Sequence, residues 1–290
     1  MKDAWGRWGE EDEIGAINLI DAAKVRGAGT LIRQGRVISL AQPLSQKTPV
    51  PKHRSGVQHF MNRDGGDYAA GGRQPGGFQF AEDTIVMPLQ IGTHIDALCH
   101  VWYDDALYNG FSGNTVRSTS GGARCGIDKM PPIVGRGVLV DMVRLKGKPL
   151  VDGEPVSKGD LEAALSQTGV TIEPGDVVLI RTGWLERNEG AKEIDFNREP
   201  GLDVEGAEWL ANAGTAAIGA DNFAVEVLPF PEKTVFPVHQ RLIRDFGIAL
   251  MEGLVLEQLA GEAEGAFFFV AAPLPITGGT GSPLTPLAIF

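Results

Sequence analysis

The sequence Asp176-Val177-Val178-Leu179-Ile180-Arg181-Thr182 places four aliphatic residues in a row between an acidic and a basic residue. A continuous apolar run of this length is typical of a strand that is buried on both faces of a sheet. A similar run precedes it at Gly137–Met142, and three more follow at Thr215–Ala220, Ile248–Met251 and Phe267–Ala272. The second half of the chain therefore predicts a sheet with a buried centre.

Helices are predicted between and before these strands. Each begins after a residue that is favourable as an N-cap. The predicted helices are 22–34 after Asp21, 158–167 after Ser157 and 204–213 after Asp203. Because strands alternate with helices and no linker interrupts the sequence, we predict an α/β fold, a single domain over residues 1–290 with a mixed β-sheet flanked by helices.

Composition excludes several classes of partner. The formal net charge is −11, so neither nucleic acid nor an anionic membrane is attracted to the chain. Cys99 and Cys125 are the two cysteines, which does not indicate a disulfide framework. The N-terminus lacks the apolar segment of a signal peptide, and the longest apolar run, Ala266–Ala272, is too short to span a bilayer. We expect a cytoplasmic protein with a small-molecule substrate, and a homo-oligomer in which Trp5 and Trp8 pack against the body or a neighbouring subunit.

The most distinctive stretch is Gln90-Ile91-Gly92-Thr93-His94-Ile95-Asp96-Ala97-Leu98-Cys99-His100, after the apolar run Thr84–Leu89. In an extended strand His94 and Asp96 point to the same face, and His100 has the same parity. An imidazole and a carboxylate on one face are suitable ligands for Zn²⁺ or Mn²⁺. Cys99 has the opposite parity and is expected to pack inward. The stretch therefore predicts a metal site.

The pattern Gly92-Thr93-His94-x-Asp96-x-x-x-His100 resembles the signature of the "Putative cyclase" family of metal-dependent hydrolases. In the full signature a histidine stands at the position of Gln90 and a proline at that of Leu98. Three further motifs extend the resemblance over nearly the whole chain: Trp8–Asn18, Gly247–Leu254 and Gly278–Pro283. The family includes kynurenine formamidases and isatin hydrolases. The resemblance implies a swivelling β/β/α-like fold. It also implies one metal per chain, because Gln90 stands where the two-metal formamidases have a ligand histidine.

The rest of the metal site must come from elsewhere in the chain. His239 and Gln240 are both candidates, and adjacent residues do not normally face one point. The resemblance implies Gln240, because family formamidases place a ligand histidine twelve residues before a ligand glutamate, which is Glu252 here. His239 is then expected to support the site. An amide oxygen is harder than imidazole, so Gln240 favours Mn²⁺, with Zn²⁺ as the alternative. Gln90 is a further candidate through its carbonyl oxygen.

These residues predict a metal-dependent hydrolase with His94, Asp96 and Gln240 as ligands. A cation with open positions lowers the pKa of a water molecule and polarises a carbonyl group. His100 is the expected base, and Glu252 is expected to orient the attacking water. The predicted reaction opens a C–N or C–O bond in a small cyclic amide, lactone or related ester or amide. The alternatives are a kynurenine formamidase and a metal-dependent binding protein without catalysis.

Overall fold

The computed structural model describes residues 2–191, 193–263 and 265–290. Its strands, in chain order, are β1 (Val37–Ser39), β2 (Gln58–Arg63), β3 (Glu82–Val86), β4 (His94–Asp96), β5 (Val116–Arg117), β6 (Gly121–Gly122), β7 (Ile133–Asp141), β8 (Pro155–Val156), β9 (Val177–Arg181), β10 (Gly201–Leu202), β11 (Ala217–Ala220), β12 (Ala249–Glu252), β13 (Phe267–Ala271), β14 (Gly281–Pro283) and β15 (Leu287–Ile289). Its α-helices are α1 (Ala22–Gly29), α2 (Gly65–Ala69), α3 (Met142–Lys146), α4 (Lys158–Thr168), α5 (Trp184–Arg187), α6 (Val204–Ala213), α7 (Pro237–His239) and α8 (Glu257–Glu262).

Nine of the strands form one mixed sheet with the order β1-β15-β13-β7-β9-β11-β12-β4-β14. The central strands β7, β9, β11 and β12 are parallel, whereas β4 runs antiparallel to both of its neighbours. Helices α1 and α4 pack against β7. This arrangement confirms the predicted α/β fold with a mixed sheet flanked by helices. Because β12 and β4 are antiparallel, the carboxyl end of β12 meets the start of β4.

The helix caps are those that the sequence predicts. The side chain of Asp21 accepts a hydrogen bond from the backbone of Lys24, and Asp203 caps α6 in the same way through Gly206. Ser157 forms a complete capping box with Asp160. The first helix ends at Gly29 rather than at residue 34, because the glycines at its end favour termination over continuation.

The apolar run before the metal motif does not continue into it as one strand. β3 pairs with β2 in a separate two-stranded ribbon, and the chain then turns before β4 begins. Pro88 interrupts the run, and Gly92 has a φ of 60°, a conformation that favours glycine. The methyl group of Leu44 lies 2.7 Å from the position that a Cβ at residue 92 would occupy. The turn therefore sets where β4 begins.

Within the described ranges, no helix has the length and apolar character needed to cross a membrane.

Candidate metal centre

The start of β4 and the end of β12 together carry the central residues of the site. His94 is the register partner of Glu252 across these two strands, and Asp96 pairs with Gly281 of β14 on the other side. His94, Asp96 and Glu252 are all buried. Ile95 between them is buried on the opposite face, as expected for the alternation of a strand. Three buried ionisable side chains are thus brought to one point by sheet pairing.

The side chains of these three residues converge. One ligand atom from each of His94, Asp96 and Glu252 lies within 4.8 Å of the others. The Nε2 atom of His94 is 3.1 Å from Oε2 of Glu252 and 3.9 Å from Oδ1 of Asp96. Ligand atoms that share one cation with bonds of about 2.0–2.2 Å stand roughly 3–4 Å apart. The spacing therefore fits a divalent cation.

Two buried atoms of this cluster lack the hydrogen bonds that buried polar atoms ordinarily make. Among the described residues, neither Nε2 of His94 nor Oδ1 of Asp96 has a hydrogen-bond partner. The 3.1 Å distance from Nε2 to Oε2 of Glu252 is an ion-pair contact. A cation that bound both atoms would remove this cost of burial. The residues present therefore fit a metal ion.

His239, and not Gln240, lies beside the cluster. The Nε2 atom of His239 is 3.1 Å from Oε1 of Glu252 and 3.8 Å from Oδ2 of Asp96. The amide of Gln240 instead donates to the carbonyl oxygen of Val235, at a partly exposed position. The side chain of Gln240 is thus directed away from the cluster and that of His239 toward it, and a ligand role for either residue stays a prediction.

The different directions of the His239 and Gln240 side chains have a structural cause. A π-helical segment, Gln240–Asp245, follows His239, and Phe246 N–H donates to the carbonyl of Arg241, five residues back. A π-helical turn holds about one residue more than an α-helical turn. His239 stands thirteen residues before Glu252, one more than the spacing of twelve that the resemblance implies. The extra residue is accommodated in this wider helix.

His100 reaches the site by a turn rather than by continued strand alternation. Its backbone N–H donates to the carbonyl of Ala97, and its Nε2 lies 3.8 Å from Oδ1 of Asp96. The side chain of His100 is 24% exposed, whereas that of His94 is fully buried. His100 therefore lies at the solvent side of the cluster, where a group that exchanges protons is useful.

The carboxylates raise the proton affinity of the two buried histidines. Burial disfavours a charged imidazole, but the carboxylates of Glu252 and Asp96 outweigh burial and raise the pKa of His94. The pKa of His239 is raised well above its ordinary value, because Glu226 and Glu252 outweigh burial. In turn the two imidazoles lower the pKa of Glu252 despite its burial. The potential that holds these protons would equally attract a cation.

Two residues of the motif lie outside the cluster. The side-chain amide of Gln90 donates to Oγ1 of Thr280 at 3.1 Å and lies against Gly281, where a Cβ would collide with it. Cys99 is buried as predicted, and burial raises the pKa of its thiol to about 12. A thiol with this pKa is protonated at neutral pH and is a poor nucleophile.

Glu226 is a buried neighbour of the site that the sequence reasoning missed. Its carboxylate lies 2.6 Å from Nδ1 of His239. The signal available in the sequence is one acidic residue within the apolar run Ala224-Val225-Glu226-Val227-Leu228. A carboxylate in such surroundings is costly to bury without partners.

The protein therefore combines an α/β fold with a candidate metal centre of buried imidazoles and carboxylates. The chain belongs to the family described as "Putative cyclase", whose model matches residues 38–227, more than half of its length. This confirms the resemblance based on the motifs. A crystal structure described as a novel cyclase is 37% identical, covers 100% of both chains and superposes with a TM-score of 0.92.

Other similar proteins are hydrolases by name. Isatin hydrolase of Roseibium aggregatum is 28% identical over 223 residues, which covers 72% of this chain and 75% of that protein. Isatin hydrolase A from Labrenzia aggregata, solved with benzyl benzoate, is 22% identical with a TM-score of 0.66, over 87% of this chain and 93% of that chain. At this identity the second similarity concerns the fold alone.

Proposed function

We propose that this protein is a metal-dependent hydrolase that opens a C–N or C–O bond in a small cyclic amide, lactone or related ester or amide. The observation that carries this proposal is the convergence of His94, Asp96 and Glu252, with unpaired buried atoms on the first two. The similarity to isatin hydrolase of Roseibium aggregatum agrees with it. Fold similarity alone would not be sufficient, because one fold supports many reactions.

We expect the clustered side chains of His94, Asp96 and Glu252, together with His239 beside them, to hold one divalent cation. When bound, the cation would polarise the substrate carbonyl and lower the pKa of a water molecule. The preference for Mn²⁺ depended on an amide ligand from Gln240, whose side chain points elsewhere. Two imidazoles and two carboxylates suit Zn²⁺ as well as Mn²⁺.

We assign the proton transfer to His100. Its Nε2 faces Oδ1 of Asp96 at 3.8 Å, and its partly exposed ring is accessible from the solvent side. In the proposed reaction His100 accepts the proton of the attacking water at Nε2 and gives it to the leaving nitrogen or oxygen. Glu252 borders the same space and orients the attacking water through one of its carboxylate oxygens.

Aromatic side chains border His239. The ring of Phe236 lies edge-on to the imidazole with centroids 5.0 Å apart, and Phe230 packs against Phe236 at 4.6 Å. Both phenylalanines are half-buried, so part of each ring faces outward. An apolar wall beside the cluster excludes water and accommodates a flat, apolar substrate. This supports a ring-containing amide or lactone over a strongly charged substrate.

The two alternatives make different predictions. A kynurenine formamidase would cleave an open-chain N-formyl group. This alternative has less support, because the two-metal formamidases have a histidine at the position of Gln90. A metal-dependent binding protein without catalysis would have no use for a histidine at the solvent side of the cluster. His100 therefore favours an enzyme.

The test is a turnover assay on the purified protein with cyclic amides, lactones and N-formyl arylamines. Each substrate is offered to protein treated with a chelator and then reloaded with Mn²⁺ or Zn²⁺. We expect ring opening that requires reloading and is lost in His94→Ala. The control is His59→Ala, because His59 lies on the exposed ribbon and pairs with Asp83 there. Metal binding without turnover of any substrate would favour the binding protein, and turnover of N-formyl arylamines alone would favour the formamidase.

A further inference from the structure

Glu226 contacts His239 through both the backbone and the ring. The backbone N–H of His239 donates to Oε1 of Glu226 at 3.0 Å, and Nδ1 of the ring lies 2.6 Å from the same oxygen. The backbone N–H of Val238 donates to Oε2 at 3.1 Å. Glu226 is buried, and among the described residues its only ion-pair partner is this histidine. The carboxylate is thus dedicated to the start of α7.

A strained turn aims this carboxylate. Val225 has a φ of 57°, a conformation that β-branched residues rarely adopt. The backbone of Leu202 in β10 holds the turn on both sides, donating to the carbonyl of Val225 at 2.9 Å and accepting from Val227 at 3.0 Å. Such strain persists only where the surroundings enforce it, and it concentrates at functional sites.

The hydrogen bond at Nδ1 determines what the other ring nitrogen can do. A carboxylate that accepts from Nδ1 keeps the proton there, which leaves the lone pair of Nε2 free. Nε2 is the atom that faces Asp96 and Glu252. A ligand histidine held in this way by a carboxylate has one tautomer and one ring orientation.

We propose that Glu226 is a positioning residue that fixes His239 as the Nδ1–H tautomer and turns Nε2 toward the cation site. This inference rests on the proposed function, because it assumes that the cluster binds a metal. It goes further in assigning a role to Glu226 and to the strained turn at Val225. A merely structural role would be to cap α7, which needs the backbone contacts but not the contact with the ring.

The experiment compares Glu226→Ala and Glu226→Gln with the unmodified protein and with Glu199→Gln as a matched control. Glu199 is also a buried glutamate and interacts electrostatically with His239 and Glu252, but its carboxylate accepts from the backbone of Phe223 and, among the described residues, hydrogen-bonds to no imidazole. Zn²⁺ affinity is measured by competition with a chromophoric chelator. The tautomer is read from the ¹⁵N spectrum of the Zn²⁺-loaded protein, with the His239 signals assigned by their loss in His239→Ala.

We expect the His239 signals of the unmodified protein to report a protonated Nδ1 and an unprotonated Nε2. Glu226→Ala should weaken Zn²⁺ binding by roughly 10–100-fold, the usual effect of removing such a partner. Glu226→Gln should retain much of the affinity and the same tautomer, because its amide oxygen can still accept from Nδ1. Glu199→Gln should leave the tautomer unchanged and should alter Zn²⁺ affinity less than Glu226→Ala does, because it removes no hydrogen bond to the ring of His239.

Two results would overturn the inference: unchanged Zn²⁺ affinity in Glu226→Ala, or an Nε2–H tautomer in the unmodified Zn²⁺-loaded protein. If Glu226→Ala does not fold, Glu226→Gln and the tautomer of the unmodified protein decide the question. None of these measurements needs a substrate, so failure to find turnover does not affect them. If the unmodified protein binds no metal, the proposed function fails together with this inference.

Discussion

Glu252 and His94 face each other as register partners across β12 and β4, with Oε2 of the carboxylate 3.1 Å from Nε2 of the ring. The other oxygen of Glu252 lies 3.1 Å from Nε2 of His239. One buried carboxylate therefore links a histidine of the sheet to a histidine of a helix. This relationship brings together residues from the first and last thirds of the chain and is the basis of the predictions below.

Removal of a sheet residue of the cluster should remove the metal. In His94→Ala or Asp96→Ala, metal content after dialysis should fall to background, and activity should fall with it. At a metal concentration 100 times Kd, the free energy of unfolding of the unmodified protein should increase by about 2.7 kcal/mol, which raises its Tm. The Tm of the variants should not increase. Elemental analysis and thermal unfolding measure both effects, with His59→Ala as control. Full metal occupancy in either variant would show that the cation lies elsewhere.

The adjacent pair His239 and Gln240 provides an internal comparison. His239→Ala should lose metal, because its Nε2 faces two carboxylates of the cluster. Gln240→Ala should keep metal and activity, because its amide bonds to the backbone of Val235. The measurement is the metal content of both variants prepared in parallel. Loss of metal from Gln240→Ala but not from His239→Ala would show that Gln240, at the spacing of twelve residues before Glu252, is the ligand.

His100→Ala separates proton transfer from metal binding. Its ring lies at the solvent side of the cluster, so metal should remain largely bound while kcat falls by about 10²-fold or more. Steady-state kinetics at saturating metal measure kcat, and elemental analysis measures metal content. A kinetic defect that excess metal restores would mean that His100 is a ligand and that another group is the base.

The number of metals per chain is a separate question, because Asp96 and Glu252 each turn one oxygen toward His94 and the other toward His239. Two cations could in principle divide these oxygens between them. We predict one, because Gln90 replaces a histidine ligand of the two-metal enzymes and its amide is bonded to Thr280. The metal-to-protein ratio of the purified protein, by mass spectrometry under native conditions, tests this. Two tightly held ions per chain would contradict it.

Metal affinity should increase with pH. The pKa values of His94 and His239 lie above the ordinary 6.5, so the metal-free cluster holds protons below that raised range. A cation must displace these protons, so its apparent affinity is low at acid pH and rises through about pH 6.5 and beyond. Each displaced proton contributes up to about a tenfold gain per pH unit. Chelator competition across this range measures the slope, and an affinity independent of pH would mean that the cluster binds the cation without losing protons.

Local signals in the sequence are sufficient for much of the fold. The caps at Asp21, Ser157 and Asp203 are correct because a cap depends on residues within one turn. The strand predicted at 176–182 is β9, because a run of aliphatic residues has few alternatives to a buried strand. The start of β4 after Gly92 could not be predicted from the sequence, because the turn there packs against Leu44, which is far away in sequence.

The candidate site was predicted less completely than the fold. His94 and Asp96 lie together because alternation along a short strand is a local property. The choice between His239 and Gln240 depended on counting residues through a helix assumed to be regular, and the π-helical segment breaks that assumption. Glu226 could not be found by spacing, because a strained turn and its pairing with Leu202 bring it to His239.

During translation β4 emerges long before the strands that will flank it. It carries His94 and Asp96, yet its hydrogen-bonded neighbours are β12, which begins at Ala249, and β14, which begins at Gly281. Pairing between segments so remote in sequence forms slowly and only after both have left the ribosome. His94 and Asp96 therefore lack their neighbouring strands until residues 249–283 have been synthesised. We predict that the metal is acquired only after residues 249–283 have paired with β4, and that a fragment that stops before Gly281 fails to retain it.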